Sequence, residues 1–174
     1  MYNSKIMKID FREIESGKNR YEFNVEPEEI DFENSWVDFN ENVIATVEAV
    51  SSNDEIIVRG KGRTVAKSDC VRCLKPVKLP LEINVNVVIH RTEGPIEKDT
   101  GDDDFVVVSQ AEGVYDLAPH FREAFLIELP TKILCSDNCK GLCPSCGVDL
   151  NVRTCDCSNN KGSGTWDALR DLLR

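Results

Sequence analysis

Long stretches of the chain alternate between hydrophobic and polar residues, as in β-strands that have one buried and one exposed face. In the clearest run, residues 77–91, five apolar side chains share one face: Leu81, Ile83, Val85, Val87 and Ile89. Asn84 and Asn86 lie on the opposite face. Residues 42–70 predict two further strands around a turn at residues 51–54. Consecutive strands joined by short turns predict an antiparallel meander.

Two shorter alternating runs precede this meander. Residues 5–14 and 20–26 flank the turn-forming residues 16–19 and predict a further pair of strands. Residues 105–108, with the sequence FVVV, predict one more short strand after the meander. The first 110 residues are therefore expected to form a twisted antiparallel β-sheet.

A single helix is predicted to pack on this sheet. Asp116 has the character of a helix N-cap, and Pro119 would lie in the first turn, where its missing N–H costs little. The helix should end before Pro130. Four apolar residues at helical spacing should face the sheet: Leu117, Phe121, Ala124 and Phe125. The sequence TWDALRDLLR predicts a second, short helix at residues 165–174.

The composition is that of a globular protein, but the charge is unevenly distributed. Of the 174 residues, 41% are hydrophobic and 30% are charged, and a chain of this length can bury a substantial core. The net charge of −10 argues against binding nucleic acid or anionic membrane over the whole surface. Residues 26–41 contain seven acids and no base, and residues 91–104 predict an exposed acidic loop. Any surface for a polyanion must therefore be local.

Between residues 59 and 78 the sign of the charge reverses. This segment has a net charge of +6, because its only acid is Asp69. It contains seven basic residues: Arg59, Lys61, Arg63, Lys67, Arg72, Lys75 and Lys78. Arg59, Lys61 and Arg63 alternate, so they would share one face of a strand, and Lys67 extends the row. This pattern suits contact with phosphates. A solvated hairpin whose lysines prevent aggregation would have the same charges.

Eight cysteines occur as closely spaced pairs. Cys70 and Cys73 form a CxxC pair, and six more lie between residues 135 and 157: Cys135, Cys139, Cys143, Cys146, Cys155 and Cys157. The sequence CPSCG at 143–147 has the form of a zinc knuckle, because two thiolates two residues apart converge on one ion and Gly permits the turn that follows. Two tetrahedral four-cysteine zinc sites require eight thiols. We therefore predict two structural Zn²⁺ ions per chain.

Other uses of these cysteines are less consistent with the sequence. Disulfides need an oxidising compartment, whereas the N-terminal residues contain no apolar stretch long enough for a signal peptide. No run of about 18 apolar residues predicts a transmembrane helix, so a cytoplasmic protein without membrane contact is expected. A redox CxxC would stand at the start of a helix, but predicted strands flank Cys70. An iron–sulfur cluster also takes four thiolates and remains an alternative to zinc.

No catalytic constellation is evident. His90 lies in a predicted strand and His120 in the predicted helix, and there is no Gly-rich phosphate loop, nucleophile elbow or HExxH motif. We therefore expect a protein that is not an enzyme and has no small-molecule substrate. The expected fold class is α+β, with a twisted antiparallel sheet, one packed helix and a zinc-stapled C-terminal extension that ends in a short helix. Residues 1–134 would form the β-rich domain and residues 135–174 the extension.

Several of these motifs together resemble one family. The sequences CVRCLKPV, YDLAPHFREAFLIELP and CKGLCPSCGVDLN, with the acidic loop, resemble the YceD family of large ribosomal RNA subunit accumulation proteins. The resemblance extends from about residue 40 to the C-terminus. It implies a bacterial or plastid protein linked to accumulation of 23S ribosomal RNA, without established catalytic activity.

The resemblance also implies how the cysteines are shared between two ions. One ion would be bound by Cys70, Cys73, Cys135 and Cys139, and the other by Cys143, Cys146, Cys155 and Cys157. The same partition follows from spacing, because residues 143–157 are self-contained and leave the other four.

These observations favour a non-enzymatic factor in large ribosomal subunit biogenesis that binds ribosomal RNA or a large-subunit ribosomal protein. One alternative is a zinc-stabilised protein–protein adaptor whose acidic surface binds a basic partner. A second is a thiol redox protein that uses its CxxC pairs. If the basic segment binds RNA, phosphate contacts should dominate, because no aromatic residue lies among its cations. The sequence leaves open whether the basic or the acidic surface is the binding face.

Overall fold

The chain is divided into two compact units. The computed structural model describes residues 3–4, 7–32, 35–93, 105–109, 111 and 113–157. The first unit contains Met1–Ser68 and Lys78–Thr131, and the second contains Asp69–Val77 and Lys132–Arg174. The domain boundary predicted from the sequence lies after residue 134, which puts residues 69–77 in the N-terminal domain. By compactness, residues 69–77 belong to the same unit as the cysteine-rich segment.

Nine strands and two helices make up the described structure. In chain order they are β1 (Asn3–Ser4), β2 (Lys8–Asp10), β3 (Gly17–Val25), α1 (Pro27–Ile30), β4 (Asp38–Phe39), β5 (Val43–Ser52), β6 (Glu55–Asp69), β7 (Pro76–Thr92), β8 (Phe105–Ser109), β9 (Val114–Asp116) and α2 (Ala118–Glu128). None of the described helices is long and apolar enough to cross a membrane.

Seven strands form one mixed sheet in the order β1-β3-β5-β6-β7-β8, with β4 paired to β6. The predicted meander of β5, β6 and β7 is confirmed, and its first turn lies at Asn53 and Asp54, between the paired Ser52 and Glu55. The prediction of a wholly antiparallel sheet is wrong at the outermost pairs, because β1 runs parallel to β3 and β8 parallel to β7. No hairpin joins the strands of a parallel pair, so alternation along each strand does not indicate their relative direction.

Alternation along the long strands places one face of the sheet in the core. The five apolar residues predicted on β7 are all buried, with at most 6% of their surface exposed. The same face of β5 buries Val43, Ala45, Val47 and Ala49. The opposite, outer face is polar but for a few exposed apolar residues, among them Ile44 and Ile57.

Helix α2 packs against the inner face of β6. Leu117, Phe121 and Phe125 are buried as predicted, and Ala124 is half-buried. The rings of both phenylalanines lie over Gly60 and Gly62. A Cβ atom on Gly60 would stand 2.6 Å from Cζ of Phe121, and one on Gly62 would stand 3.0 Å from atoms of both rings. The two glycines therefore permit a close approach of helix and sheet that larger residues would prevent.

The ends of α2 lie close to their predicted positions. The helix ends at Glu128, before Pro130. It begins at Ala118, so the predicted N-cap at Asp116 is wrong by one residue and Leu117 occupies that position. Asp116 ends β9 and pairs with Lys8, yet its Oδ1 still accepts the N–H of Ala118 at 2.9 Å. The other helix, α1, is a single turn and is too short to produce a periodic pattern.

The N-terminal strands do not form the predicted hairpin. Residues 16–19 are not a turn between strands, because β3 begins at Gly17, and β2 pairs with β9 in a separate two-stranded sheet. The side chain of Asn19 both donates to and accepts from the backbone of Glu15, which holds the preceding loop against the strand. The β2–β9 pairing joins residues about a hundred positions apart and leaves no local pattern. The C-terminal helix at 165–174 and the acidic loop beyond residue 93 lie outside the described residues.

The contact between helix and glycines leads to a stability prediction. Gly60→Ala should destabilise the protein by about 1–3 kcal/mol, because the added methyl group would overlap the buried Phe121 ring. Urea denaturation followed by circular dichroism measures this as a lower midpoint at unchanged slope. A double-mutant cycle tests the cause, because Phe121→Leu removes the ring atoms that the added methyl group would overlap. Phe121→Leu should therefore destabilise the Gly60→Ala variant less than it destabilises the parent protein. Additive costs would place the strain elsewhere.

Candidate metal centres

The eight cysteines gather into two groups of four, all in the second unit. One group consists of Cys70, Cys73, Cys135 and Cys139, and the other of Cys143, Cys146, Cys155 and Cys157. Within each group all Sγ atoms lie within 4.8 Å of one another. Each group could therefore hold one metal ion, and the grouping is the partition predicted from the sequence.

The sulfur positions fit a single tetrahedral ion. Sγ of Cys70 lies 3.8 Å from Sγ of Cys139, and Sγ of Cys73 lies 3.5 Å from Sγ of Cys135. A tetrahedral ion with sulfur ligands at about 2.3 Å separates those sulfurs by about 3.8 Å. A disulfide would require an S–S bond of about 2.05 Å, and all eight cysteines are free.

The two CxxC turns share one hydrogen-bonding pattern. In the turn at 70–75, Cys70 donates its N–H to the carbonyl of Lys75 at 2.8 Å and accepts from Leu74 at 2.9 Å. In the turn at 143–148, Cys143 donates to Val148 at 2.8 Å and accepts from Gly147 at 2.8 Å. The residue that follows the second cysteine has a left-handed conformation in both turns. These are two copies of one knuckle, the first placed between β6 and β7.

Peptide N–H groups stabilise the first thiolate of each knuckle. Burial raises the pKa of the Cys70 thiol, but the N–H groups of Arg72, Cys135 and Cys73 outweigh burial and bring the pKa down from 9.0 to about 6. At Cys143, the N–H groups of Cys146 and Ser145 lower the pKa to about 6. Metals bind the thiolate form, so these turns prepare both cysteines as ligands.

One knuckle has a leucine where the other has glycine. Gly147 has φ 73°, which costs glycine nothing, whereas Leu74 adopts φ 58° and leaves 64% of its surface exposed. Val71 of the same turn is also exposed. Sequence reasoning identified the glycine turn and missed the leucine, because a left-handed leucine has no sequence signature.

Side chains and backbone groups outside the ligand set join the two knuckles within this unit. The Arg72 guanidinium donates to the carbonyl of Cys139 at 2.7 Å, and the carbonyl of Arg72 accepts from Leu142 at 3.0 Å. Lys75 pairs with Asp149 at 2.6 Å, an interaction that lowers the pKa of that carboxyl to about 2. Asn151 donates to Sγ of Cys139 at 3.5 Å and accepts from the N–H of Lys140. Such outer contacts orient ligands.

The two sites differ in burial. Three of the four ligands at the first site are buried, and they form a small core with Val77, Leu134 and Leu142. At the second site only Cys143 is buried. The first group thus occupies a small buried core, whereas three of the four cysteines of the second group are not buried.

The seven basic residues predicted as an RNA surface separate into two groups. Arg59, Lys61 and Arg63 are exposed on one face of β6, and Lys67 follows in the same row, half-buried. These four make no ion pair with any residue that the structure describes. The other three are engaged: Arg72 with Cys139, Lys75 with Asp149, and Lys78 with Glu41 at 3.7 Å.

Neither histidine belongs to a cysteine group. His120 of α2 shares a hydrogen bond of 2.7 Å with the hydroxyl of Tyr115, and His90 of β7 lies 3.9 Å from Glu55. Both contacts are within the first unit, so neither histidine supplements the ligands.

Comparison with known proteins gives a coherent set of relatives. The family model described as "Large ribosomal RNA subunit accumulation protein YceD" matches residues 58–173. An uncharacterised protein of Mycobacterium leprae is 30% identical over 132 residues, which cover 76% of this chain and 58% of that protein. The chloroplastic "Large ribosomal RNA subunit accumulation protein YCED homolog 1" of Zea mays is 27% identical over 150 residues, 70% of this chain and 50% of the relative.

Two further facts qualify these matches. The chain spans about half the length of the curated relatives that it matches first. No solved structure is significantly similar.

Two glycines in the second unit provide a test of its packing. Gly141 has φ 77°, and a Cβ there would stand 2.9 Å from the carbonyl oxygen of Arg72, whereas a Cβ on Gly147 would meet nothing within 4 Å. Gly147→Ala should cost about 1–2 kcal/mol from backbone conformation alone, and Gly141→Ala clearly more. We expect a lower melting temperature and faster loss of metal to a chelator for Gly141→Ala than for Gly147→Ala.

The matched control is Leu74→Gly, which places glycine at a residue that is already left-handed. It should release metal no faster than the parent protein. Equal effects of the two alanine variants would contradict the close contact at Arg72.

Proposed function

The chain belongs to the YceD family of large ribosomal RNA subunit accumulation proteins, and on this basis we propose that it is a non-enzymatic factor in biogenesis of the large ribosomal subunit. The observation with most weight is the family match over residues 58–173, which contain both knuckles and α2. Its partner is 23S ribosomal RNA or a large-subunit ribosomal protein. The proposal that the protein has no catalytic role rests on the absence of a recognisable catalytic constellation among the described residues.

Each cysteine group binds one structural Zn²⁺. Convergence of four sulfurs within 4.8 Å supports a single ion, because an iron–sulfur cluster places several atoms between its cysteines and holds them farther apart. Zinc is favoured because it prefers tetrahedral thiolate sites and undergoes no redox change. Four protein ligands leave no open position for water, so the bound ions would hold the second unit together rather than catalyse a reaction.

A second candidate function is a protein–protein adaptor that binds a basic segment. A cavity of about 330 Å³ in the first unit supports it. Phe32 and Phe39 stack in its wall with ring centroids 3.8 Å apart, and three carboxylates line it: Glu28, Asp31 and Asp38. Carboxylates around a cavity suit lysine or arginine side chains. A ribosomal protein with a basic tail would be such a partner.

Sedimentation of ribosomes tests the proposed function. A strain that lacks this chain should show a deficit of large subunits relative to small subunits and less 23S ribosomal RNA, and expression of the intact chain should restore both. A deletion strain with a normal subunit profile would refute the proposal.

Metal analysis tests the two-ion proposal. Native mass spectrometry of protein purified without added metal should find two zinc ions per chain. Cys143→Ser should retain one ion, because the group around Cys70 shares no ligand with it, and Ser145→Ala, an exposed position between the ligands, should retain both. Loss of both ions from Cys143→Ser would mean that the cysteines are shared differently. Metal should supply much of the folding energy of the second unit, on the order of 10 kcal/mol apparent per site.

A further inference from the structure

The outer face of the main sheet contains a row of cations that have no partner among the described residues. β6 lies between β5 and β7, and its residues alternate between glycines under α2 and exposed cations on the other side. Arg59, Lys61 and Arg63 form no ion pair or side-chain hydrogen bond with any described residue. The neighbouring carboxylate opposite Arg59, that of Glu48, already pairs with Lys18 at 2.6 Å.

The spacing of this row suits a linear polyanion. Residues two positions apart on one strand face are about 6.6 Å apart, a step comparable with that between successive phosphates of a nucleic-acid strand. Uncompensated cations in a row repel one another, and an anion that follows the strand would relieve the repulsion. The chain as a whole has a net charge of −10, so its net charge alone would not indicate this row of cations.

A cavity lies beside the row on the same face. Its volume is about 530 Å³, within the range of sites that enclose small organic groups. Side chains from the three central strands line it: Ile44, Thr46, Lys61, Arg63, Glu82 and Asn84. Ile44 provides an apolar surface that is 43% exposed. Glu82 makes no ion pair with a described cation, although it lines the cavity with Lys61 and Arg63.

We propose that this face binds single-stranded RNA, with phosphates on Arg59, Lys61 and Arg63 and one unstacked base in the cavity. The inference rests on the proposed role in ribosome biogenesis and specifies its partner. Single-stranded RNA is required because a base that is stacked and paired in a duplex cannot enter a cavity. Ile44 supplies apolar contact to the base in the absence of an aromatic residue.

The chemistry of the cavity selects the base. A carboxylate only accepts hydrogen bonds, so Glu82 requires a base edge with two adjacent donors. Guanine presents N1–H and the N2 amino group side by side, whereas uracil offers a single donor between acceptors. Asn84 both donates and accepts and can bind the remaining edge. The cavity therefore favours an unpaired guanine.

Fluorescence anisotropy with the metal-loaded full chain tests the phosphate contacts. The probe is a twelve-nucleotide single strand of uridine and adenosine with one central guanosine. Lys61→Ala with Arg63→Ala should lower affinity at least tenfold and reduce the slope of log affinity against log salt by about 1.4, since each single-strand contact contributes about 0.7. Lys18→Ala with Arg20→Ala removes the same charge from the same face, but from cations already paired with Glu48 and Glu22, and should cost less.

The same assay tests recognition of the base. Replacing the guanosine by inosine, which lacks the N2 amino group, should weaken binding about tenfold. Glu82→Gln should abolish this preference, while Glu22→Gln on β3 of the same face should keep it. Circular dichroism and metal content verify that each variant is folded.

Several results would overturn the inference. The first is that the Lys61/Arg63 variant binds the RNA with unchanged affinity, and the second is that a duplex of the same sequence binds as tightly as the single strand. The third is that a polyglutamate peptide binds as tightly as the RNA and displaces it, which would make this face a site for an acidic protein. Complementation separates this inference from the proposed function. If the deletion strain lacks large subunits but the Lys61/Arg63 variant restores them fully and binds RNA normally, the inference alone fails. If RNA binding is as expected but deletion leaves subunits unchanged, the proposed function fails.

Discussion

The convergence of two cysteines from the turn after β6 with two from the segment after α2 is the constraint on which the second unit depends. Its small core consists of Cys70, Cys73 and Cys139 with a few partly buried aliphatic residues. Thiolates brought this close would repel one another, so without an ion the arrangement has little to hold it together. Other groups in the described part of the unit support the same geometry. Peptide N–H groups point at the first cysteine of each turn, Arg72 holds the carbonyl of Cys139, and Asn151 donates to its sulfur. A unit of this size would otherwise need a larger apolar core.

Strand β6 combines two tasks through its alternation. Its inner face has Gly60 and Gly62, which allow the rings of α2 to approach the backbone, and its outer face has Arg59, Lys61 and Arg63. Glycines weaken a strand because they have high conformational freedom when unfolded and no side chain to pack. Here the phenylalanine rings fill the space that side chains would occupy, and β6 is further supported by pairing with β4, β5 and β7. The row of cations therefore lies on a central strand that is paired on both sides, and not on an edge strand.

Sequence patterns predicted the features whose determinants are local. Period-two alternation identified the meander and the buried face of β7, and cysteine spacing identified the two groups of four. The parallel pairing of β8 with β7 and the pairing of β2 with β9 join segments that share no turn, so no local pattern indicates them. The left-handed Leu74 was missed because the turn imposes a conformation that leucine itself disfavours. The roles of Asp149 and Asn151 depend on contacts with residues distant in the chain, which composition does not reveal.

The seven basic residues between 59 and 78 look like one surface when only their charges are counted, but their contacts differ. Arg72 and Lys75 are hydrogen-bonded or ion-paired within the knuckle unit, and removing either would disturb the ligands it helps to position. Loss of RNA binding in such a variant would therefore report damaged structure as readily as a lost contact. The cations of β6 have no described partner, so their removal changes the surface without leaving a buried group unsatisfied. They are the positions at which a binding measurement can be interpreted directly, and this separation follows from the contacts of each side chain rather than from its charge.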